Sequence, residues 1–310
     1  MNTPNTKLII GFIGLGALAF SSCKKDSQPE PAMPVIEHVE VGLGDNGIGV
    51  VGEDFHLEMD VVAGERIDVV QVRIEQRAGE TYTRQWHHEI TWEQYRGARN
   101  TNVHRHFDIP EDAPEGTYDF VIVVQDQNGA RLEEKRTLRI YLRENLPVDP
   151  TLTIFNIHNN NEIFYRNGEF AGADVFRGGD IIRSQVTIGG LKGDGAMYIL
   201  LIDKQLNHRP ETVDGIDFSK AIVYDVYQHE GWETVGDFSN FVFDLETFTT
   251  VRALPRFTIG ADQDNNSPQP NPISGDKTWK SGDYLFGVVY TNTTHNMSFY
   301  HYIDLKVALN

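Results

Sequence analysis

The chain has 310 residues, one cysteine and a formal net charge of -18, from 27 basic and 45 acidic side chains. Such acidity disfavours proteins that must neutralise nucleic-acid phosphates, and a single cysteine excludes a disulfide framework or a multi-thiolate zinc site. The hydrophobic content of 40% is sufficient for buried cores, and the length indicates two domains.

The N-terminus has the pattern of a lipoprotein signal peptide. An apolar run of 13 residues, Leu8–Phe20, is too short to span a bilayer and has the length of a signal-peptide core. Ser21 and Ser22 then lead into Cys23, which resembles the bacterial lipobox, although Phe20 stands where Leu or Val is usual. The alternative is an ordinary secretory signal with an incidental cysteine.

The resemblance implies that residues 1–22 are removed and that Cys23 carries acyl chains such as palmitate. Two or more chains hold a protein at a membrane without a spanning segment. The residue next to Cys23 is Lys24 and not an aspartate, which by the same resemblance favours the outer membrane, on either its periplasmic or its cell-surface face. Residues 23–33 form a Pro-rich tether with little to bury.

The rest of the chain predicts an all-β fold. Short stretches of alternating apolar residues are separated by Gly, Asn, Asp and Pro, and long helical periodicity is missing. Thr91 to Arg96 is the exception, and predicts one helical turn capped by Thr91. The predicted strands of the first part of the chain are 35–42, 53–63, 66–76, 102–109, 117–125 and 132–142.

Two passages recur along the chain. Gly52-Glu53-Asp54 and the strands that follow match Gly178-Gly179-Asp180 at an offset of 126 residues, with Gly189-Gly190 between the second pair of strands. Glu115 to Phe120 matches Ser281 to Phe286 at an offset of 166. The repeat predicts two sandwiches of related topology, of which the second carries about forty extra residues.

The first sandwich is predicted to be immunoglobulin-like. Tyr118 follows a turn with two prolines and Gly116, where a tyrosine corner ties a Greek-key loop to the next strand. Two Ig-like domains in tandem are therefore expected. Their bounds are 34–143 and 151–310, with a linker at 144–150 that contains two prolines.

Histidines alternate with apolar residues in three of the predicted strands. The first strand carries His38, the second His56, and the fourth both His104 and His106. In an immunoglobulin-like sheet these strands are A, B and E, which are neighbours. All four imidazoles are then expected on the outer face of one sheet, where side chains on adjacent strands lie about 4.5 to 5.5 Å apart.

Converging imidazoles with a nearby carboxylate are typical of zinc sites, and also suit copper or nickel. The predicted ligands are His56, His104 and His106, completed by His38 or by a carboxylate, with Glu58 the first candidate. Binding should weaken below about pH 6, as the rings protonate. Exposed histidines placed by chance are the alternative. Further candidates are Glu40, Asp60, His87 and His88.

These segments also carry a family resemblance. Gly52 to Glu58, Trp92 with Tyr95-Arg96-Gly97, and His104 to Tyr118 resemble a family of bacterial cell-envelope lipoprotein domains of unknown function. The resemblance spans about residues 34–143 and implies an immunoglobulin-like fold in the cell envelope, without supplying a reaction. Family members often have histidine where this chain has Asp119.

Other chemistry is less well supported. Asp262 to Asn266 begins like a calcium loop but lacks its glycine and final glutamate, which favours a solvated loop. No phosphate loop or nucleophile elbow occurs, so a binding or accessory role is expected rather than an enzyme. The alternatives are adhesion or glycan binding by the second domain, and a structural role beside an outer-membrane transport partner. Candidate stacking aromatics are Tyr224, Tyr227, Trp232, Trp279, Tyr290, Tyr300 and Tyr302.

Overall fold

The computed structural model describes residues 32–309, which belong to one compact unit. The predicted signal peptide, Cys23 and nearly all of the tether lie outside these residues. Almost all regular structure is β, as expected, and no helix of the described part is long and apolar enough to cross a membrane.

The strands fall into two groups, here called the first half (residues 35–141) and the second half (residues 151–308). The strands of the first half are β1 (Val35–Val41), β2 (Ile48–Val50), β3 (Asp54–Val62), β4 (Ile67–Gln76), β5 (His87–Thr91), β6 (Asn100–Asp108), β7 (Gly116–Asp126) and β8 (Arg131–Tyr141). Those of the second half are β9 (Thr151–Asn159), β10 (Glu162–Arg166), β11 (Glu169–Phe170), β12 (Val175–Arg177), β13 (Ile181–Asp203), β14 (Ala221–Ser239), β15 (Val242–Asp244), β16 (Thr249–Arg252), β17 (Phe257–Thr258), β18 (Gly282–Asn292) and β19 (Met297–Ala308). Single 3₁₀ turns cover Glu93–Tyr95, Arg143–Asn145, Lys204–Leu206 and Gly275–Lys277.

The first half is an immunoglobulin-like sandwich. One sheet has the order β1-β3-β6 and the other the order β2-β8-β7-β4-β5, which correspond to strands A-B-E and A′-G-F-C-C′. The predicted adjacency of the three histidine-bearing strands is therefore confirmed. Their apolar residues alternate into the core, where Phe55, Leu57, Met59 and Val103 are fully buried.

Two local details differ from the sequence prediction. The helical turn is a 3₁₀ turn that begins at Glu93, and the residue before it, Trp92, makes no side-chain cap; the predicted Thr91 cap is wrong because Thr91 still belongs to β5. In β1 the register with β3 shifts between Glu37 and Glu40, and His38 has a φ of 50°. This bulge breaks the alternation of side chains along β1.

The second half repeats this topology with longer strands. β13 is a single strand of 23 residues, whereas the sequence predicted two strands separated by Gly189-Gly190. It bulges near these glycines, so that its first part pairs with β9 and its last part with β18, as β3 pairs with β1 and β4 with β7. The short strand β12 runs parallel to β19, as β2 runs parallel to β8.

Both halves contain a tyrosine corner at the offset found in the sequence. The hydroxyl of Tyr118 donates a hydrogen bond of 2.6 Å to the carbonyl of Pro114, and the hydroxyl of Tyr284 donates one of 3.0 Å to the carbonyl of Lys280. Each bond joins a buried ring to the backbone four residues earlier and fixes the entry to β7 or β18. The repeat is therefore present in the structure as well as in the sequence.

Tyr118→Phe tests the corner of the first half. The change leaves the ring in place and removes the donor to a buried carbonyl, so the free energy of unfolding should fall by about 1 to 3 kcal/mol. Tyr141→Phe is the control, because Arg139 stacks on the Tyr141 ring while its hydroxyl makes no hydrogen bond in the described structure. Equal stability of Tyr118→Phe and Tyr141→Phe in chemical denaturation would contradict this account.

Candidate metal centre

Three histidines meet on the outer face of the β1-β3-β6 sheet. The antiparallel register places His56 directly opposite His106 and Glu58 opposite His104. The ring centroids form a nearly equilateral triangle, with separations of 5.0 Å between His56 and His104, 5.2 Å between His56 and His106, and 5.3 Å between His104 and His106. Strand pairing alone therefore brings three imidazoles around one point.

Glu211 completes the group from the second half of the chain. It lies in the connection between β13 and β14, and its Oε2 is 3.4 Å from Nδ1 of His56 and 4.0 Å from Nε2 of His106. The Nε2 atoms of His104 and His106 are 3.2 Å apart. One ligand atom from each of the four residues can be chosen so that all lie within 4.8 Å of one another.

These separations suit a small ion. Ligands at the usual zinc distances of about 2.0 to 2.1 Å from a tetrahedral centre are about 3.3 Å from each other. The pairs His56–Glu211 and His104–His106, at 3.4 and 3.2 Å, already have this spacing. Other pairs are wider, such as His106–Glu211 at 4.0 Å, so these side chains would have to approach one another for all four to reach one ion.

Two of the four residues are buried without hydrogen-bond partners. The side chain of His56 is 5% exposed and that of Glu211 is 14% exposed. Neither ring nitrogen of His56 nor Oε2 of Glu211 makes a hydrogen bond within the described residues. Buried polar atoms are almost always satisfied, so Nδ1 of His56 and Oε2 of Glu211, which face each other across the centre, indicate a group that the protein binds there.

Each histidine also faces a carboxylate through the nitrogen that points away from the centre. His106 Nδ1 is 2.6 Å from Asp54, His104 Nδ1 is 3.8 Å from Glu58, and His56 Nε2 is 3.6 Å from Glu40. A carboxylate hydrogen-bonded in this position, as Asp54 is to His106, orients the ring, fixes its tautomer and makes the inner nitrogen a better ligand. The longer contacts of His104 and His56 are ion-pair contacts without a hydrogen bond. Glu58 thus lies beside a predicted ligand instead of among the four central residues.

Charges around the centre shift the ionisation of its buried members. Burial of the ring lowers the pKa of His56, but the Glu211 carboxylate, and then Glu40 and Glu58, outweigh this effect, so that the pKa lies above its ordinary value of 6.5. Burial raises the pKa of Glu211, but His56 and His106 more than offset it and the pKa lies below 4.5. Burial, and then Glu211, raises the pKa of Tyr300 to about 12.

The remaining candidates are elsewhere. His38 is displaced by the bulge in β1, is 80% exposed, and pairs with Asp60 at 3.0 Å. His87 and His88 are on β5, which belongs to the opposite sheet of the first half. Of the predicted ligands, the structure brings together His56, His104 and His106 and leaves His38 outside.

Sequence reasoning missed Glu211. The residue lies in the segment Asn207-His208-Arg209-Pro210-Glu211, within the part of the chain that has no counterpart in the repeat. Periodicity does not locate a loop residue, and the contact with His56 depends on how the two halves pack. The sequence offers one weak indication that Glu211 is functional: it is a charged residue directly after a proline, in a segment without a match in the repeat.

The other candidate sites have structural explanations. The Asp264 carboxylate is buried rather than solvated, and accepts from the Lys277 ammonium at 3.2 Å and from backbone amides, so a cation already fills its place. Tyr224 and Tyr290 are fully buried in the core of the second half. Trp232 and Trp279 pack partly buried against the same core.

Comparison with known proteins finds a family model that is similar to part of the chain. Residues 21–141 match the family model described as "Domain of unknown function (DUF4625)", in agreement with the resemblance found over residues 34–143. No curated protein matches the chain.

Similarities to solved structures are distant. Dimeric latent PorU from Porphyromonas gingivalis is 10% identical with a TM-score of 0.30, over 93% of this chain and 21% of PorU. A Ca²⁺-stabilised ice-binding adhesin of an Antarctic bacterium is 11% identical with a TM-score of 0.21, over 90% of this chain and 49% of the adhesin. A carbohydrate-binding module of the β-sandwich superfamily is 13% identical with a TM-score of 0.22, over 90% and 99%. The chain thus spans about a fifth of PorU and half of the adhesin, and no function follows from these similarities.

The His56–Glu211 pair predicts a pH dependence of stability for metal-free protein. Because the pKa of His56 is raised on folding, its contribution to stability is complete below pH 6.5 and is lost as the pH rises through the folded-state pKa. Because the pKa of Glu211 is lowered on folding, its contribution is complete above pH 4.5 and is lost as the pH falls through the folded-state pKa. In the presence of a chelator, the difference in unfolding free energy between wild type and Glu211→Gln should therefore be largest between pH 4.5 and 6.5 and shrink towards pH 8. Glu80→Gln, at an exposed position of the first half, controls for the loss of one carboxylate. A difference that grows above pH 7 would disprove the coupling.

Proposed function

We propose that this protein binds a divalent transition-metal ion, with zinc the first candidate, through His56, His104, His106 and Glu211. The observation that carries the proposal is the convergence of three imidazoles and one carboxylate, of which Nδ1 of His56 and Oε2 of Glu211 are buried and have no hydrogen-bond partner in the described structure. His106 is hydrogen-bonded to Asp54, an arrangement typical of metal-binding histidines, and Glu58 and Glu40 lie 3.8 Å and 3.6 Å from the outer nitrogens of His104 and His56.

The donor set favours zinc over its competitors. Three nitrogens and one oxygen with near-tetrahedral spacing suit zinc, whereas copper(II) and nickel(II) prefer square-planar or tetragonal arrangements. A calcium site would need six or more oxygen ligands, and a magnesium site would need six in an octahedron. Cys23 is the only thiol of the chain and precedes the described residues, so the donors considered are nitrogen and oxygen.

Four protein ligands also favour a binding role over catalysis. Structural zinc sites are closed by four protein ligands, whereas catalytic sites keep a position for water or substrate. With Glu211 bound, the tetrahedron is full. We therefore propose a binding or accessory protein, not an enzyme, for which the metal is a component of the fold.

We further propose that the protein works at the outer membrane, held there by acyl chains on Cys23. The proposal rests on the short apolar run, the small residues before Cys23 and the lysine, rather than aspartate, directly after it. Adhesion or glycan binding by the second half is the weaker alternative, because the tryptophans that were candidates for sugar stacking pack against the core. A transport-complex accessory without any ligand is the remaining alternative.

Zinc titration of the purified protein, in competition with a chromophoric chelator, tests the proposal. Wild type should bind one zinc ion, and His56→Ala, His104→Ala and His106→Ala should each weaken binding at least about tenfold, the lower bound known for loss of a group that only orients a ligand. His38→Ala is a matched control from the same sheet face, and should bind as wild type does. Absence of binding, or unchanged affinity of His56→Ala and His104→Ala, would refute the metal proposal.

A further inference from the structure

The four residues of the centre come from opposite halves of the chain. His56 is on β3, and His104 and His106 are on β6, all in the first half. Glu211 is on the connection between β13 and β14 of the second half. An ion held by all four would therefore be bound to both halves at once.

The connection that carries Glu211 is fixed firmly to the second half. The Tyr302 hydroxyl donates a hydrogen bond of 2.7 Å to the Pro210 carbonyl, and the amide of Val213 donates one of 3.1 Å to the Thr291 hydroxyl. The guanidinium of Arg209 stacks over Tyr302, 5.5 Å from the ring centroid. These bonds join residues before and after Glu211 to β19 and β18, so the Glu211 backbone moves together with these two strands.

The histidines are fixed equally firmly to the first half. β3 is the central strand of its sheet, paired on one side with β1 and on the other with β6. Nine consecutive residue pairs, from Asp54–Asp108 to Val62–Asn100, hold β3 to β6 without a register shift. Each half therefore presents its ligands from a rigid element, as a specific metal site requires.

Around the centre, the two halves are packed less closely. Cavities of about 190 Å³ and 170 Å³ lie on either side of His56, and both are lined by residues of the two halves. The first is bounded by Leu43 and Thr212, and the second by Asn46 and Tyr300. A side chain at Gly44 would contact Thr212, so the turn after β1 touches the Glu211 segment closely at this point.

The linker is attached to both halves: the Asn145 side chain donates a hydrogen bond of 2.9 Å to Glu115, and the amide of Asp149 donates one of 3.0 Å to the carbonyl of Gly190. Arg143 pairs with Glu53 at 3.0 Å and with Asp149 at 2.9 Å, and all three side chains are more than one-third exposed. Exposed ion pairs of this kind contribute about 0 to 1 kcal/mol each. The four ligand residues can add a further connection between the halves through an ion.

We propose that the bound metal is a clamp that fixes the orientation of the second half relative to the first. This proposal rests on the metal site proposed above and assigns its role. Metal binding stabilises the contact between the halves, because the complete ligand set exists only when Glu211 faces the three histidines. Removing the ion leaves buried nitrogen and carboxylate atoms without partners, a cost that separation of the halves relieves by admitting water.

Distance measurements between the halves test the clamp. We suggest nitroxide labels at Glu80→Cys and Asp276→Cys, two exposed positions in the first and second halves, in full-length protein in which Cys23→Ser leaves these as the only thiols. Double electron–electron resonance should give a narrow distance distribution with one equivalent of zinc chloride and a broader one after chelation. Zinc affinity is measured on the same labelled sample.

Two variants separate the clamp from metal binding as such. Glu211→Ala retains three histidines, so it should bind zinc at least tenfold more weakly and should keep the broad distribution even when saturated with zinc. Asp214→Asn is the matched control, because it removes an exposed acid from the same connection and should behave as wild type does.

The outcomes distinguish the two proposals. Wild type that binds zinc while its distance distribution stays unchanged would overturn the clamp and leave the metal site intact. A narrow distribution in zinc-saturated Glu211→Ala would overturn it too. Failure of wild type to bind zinc at all would overturn the metal site, and the clamp with it.

Discussion

The register between β3 and β6 is the constraint on which the candidate centre depends. Side chains of a strand alternate between its two faces, so a slip of one residue would turn every histidine into the core and every core residue outwards. The burial of Phe55, Leu57 and Met59 therefore fixes not only the packing of the first half but also the direction of His56, Glu58 and Asp54. Hydrophobic burial determines where the imidazoles stand, although none of them takes part in the core.

Electrostatics then determine what these imidazoles can bind. A net charge of -18 attracts cations to the surface in general, but the centre concentrates this charge at one point. Glu40, Glu58 and Asp54 face the outer nitrogens of the three rings, and Glu211 faces the inner ones. In metal-free protein Glu211, and then Glu40 and Glu58, raise the pKa of His56, whereas in the metal-bound form the carboxylates beside the rings would strengthen the imidazole ligands. Protons and metal ions thus compete for one set of groups.

Sequence analysis predicted the parts of this arrangement that follow from local periodicity. Alternation identified the strands and the outward face of His56, His104 and His106, and the Tyr118 turn indicated an immunoglobulin-like order that made their strands neighbours. It could not predict the bulge that removes His38, because a positive φ at a histidine leaves no trace in the hydrophobic pattern. Nor could it find Glu211, whose position depends on contacts between distant parts of the chain. The sequence repeat predicted the topology of the second half, but Glu211 lies in a part of that half for which the repeat gave no match.

X-ray absorption at the zinc K-edge of zinc-loaded protein tests the central claim most directly, because it reports the ligands of the ion itself. This account predicts four nitrogen or oxygen ligands at about 2.0 to 2.1 Å, with outer-shell scattering from three imidazole rings and without a sulfur contribution. A six-coordinate ion with longer bonds and fewer than two imidazoles would show that zinc binds elsewhere on the acidic surface, and would contradict the centre described here.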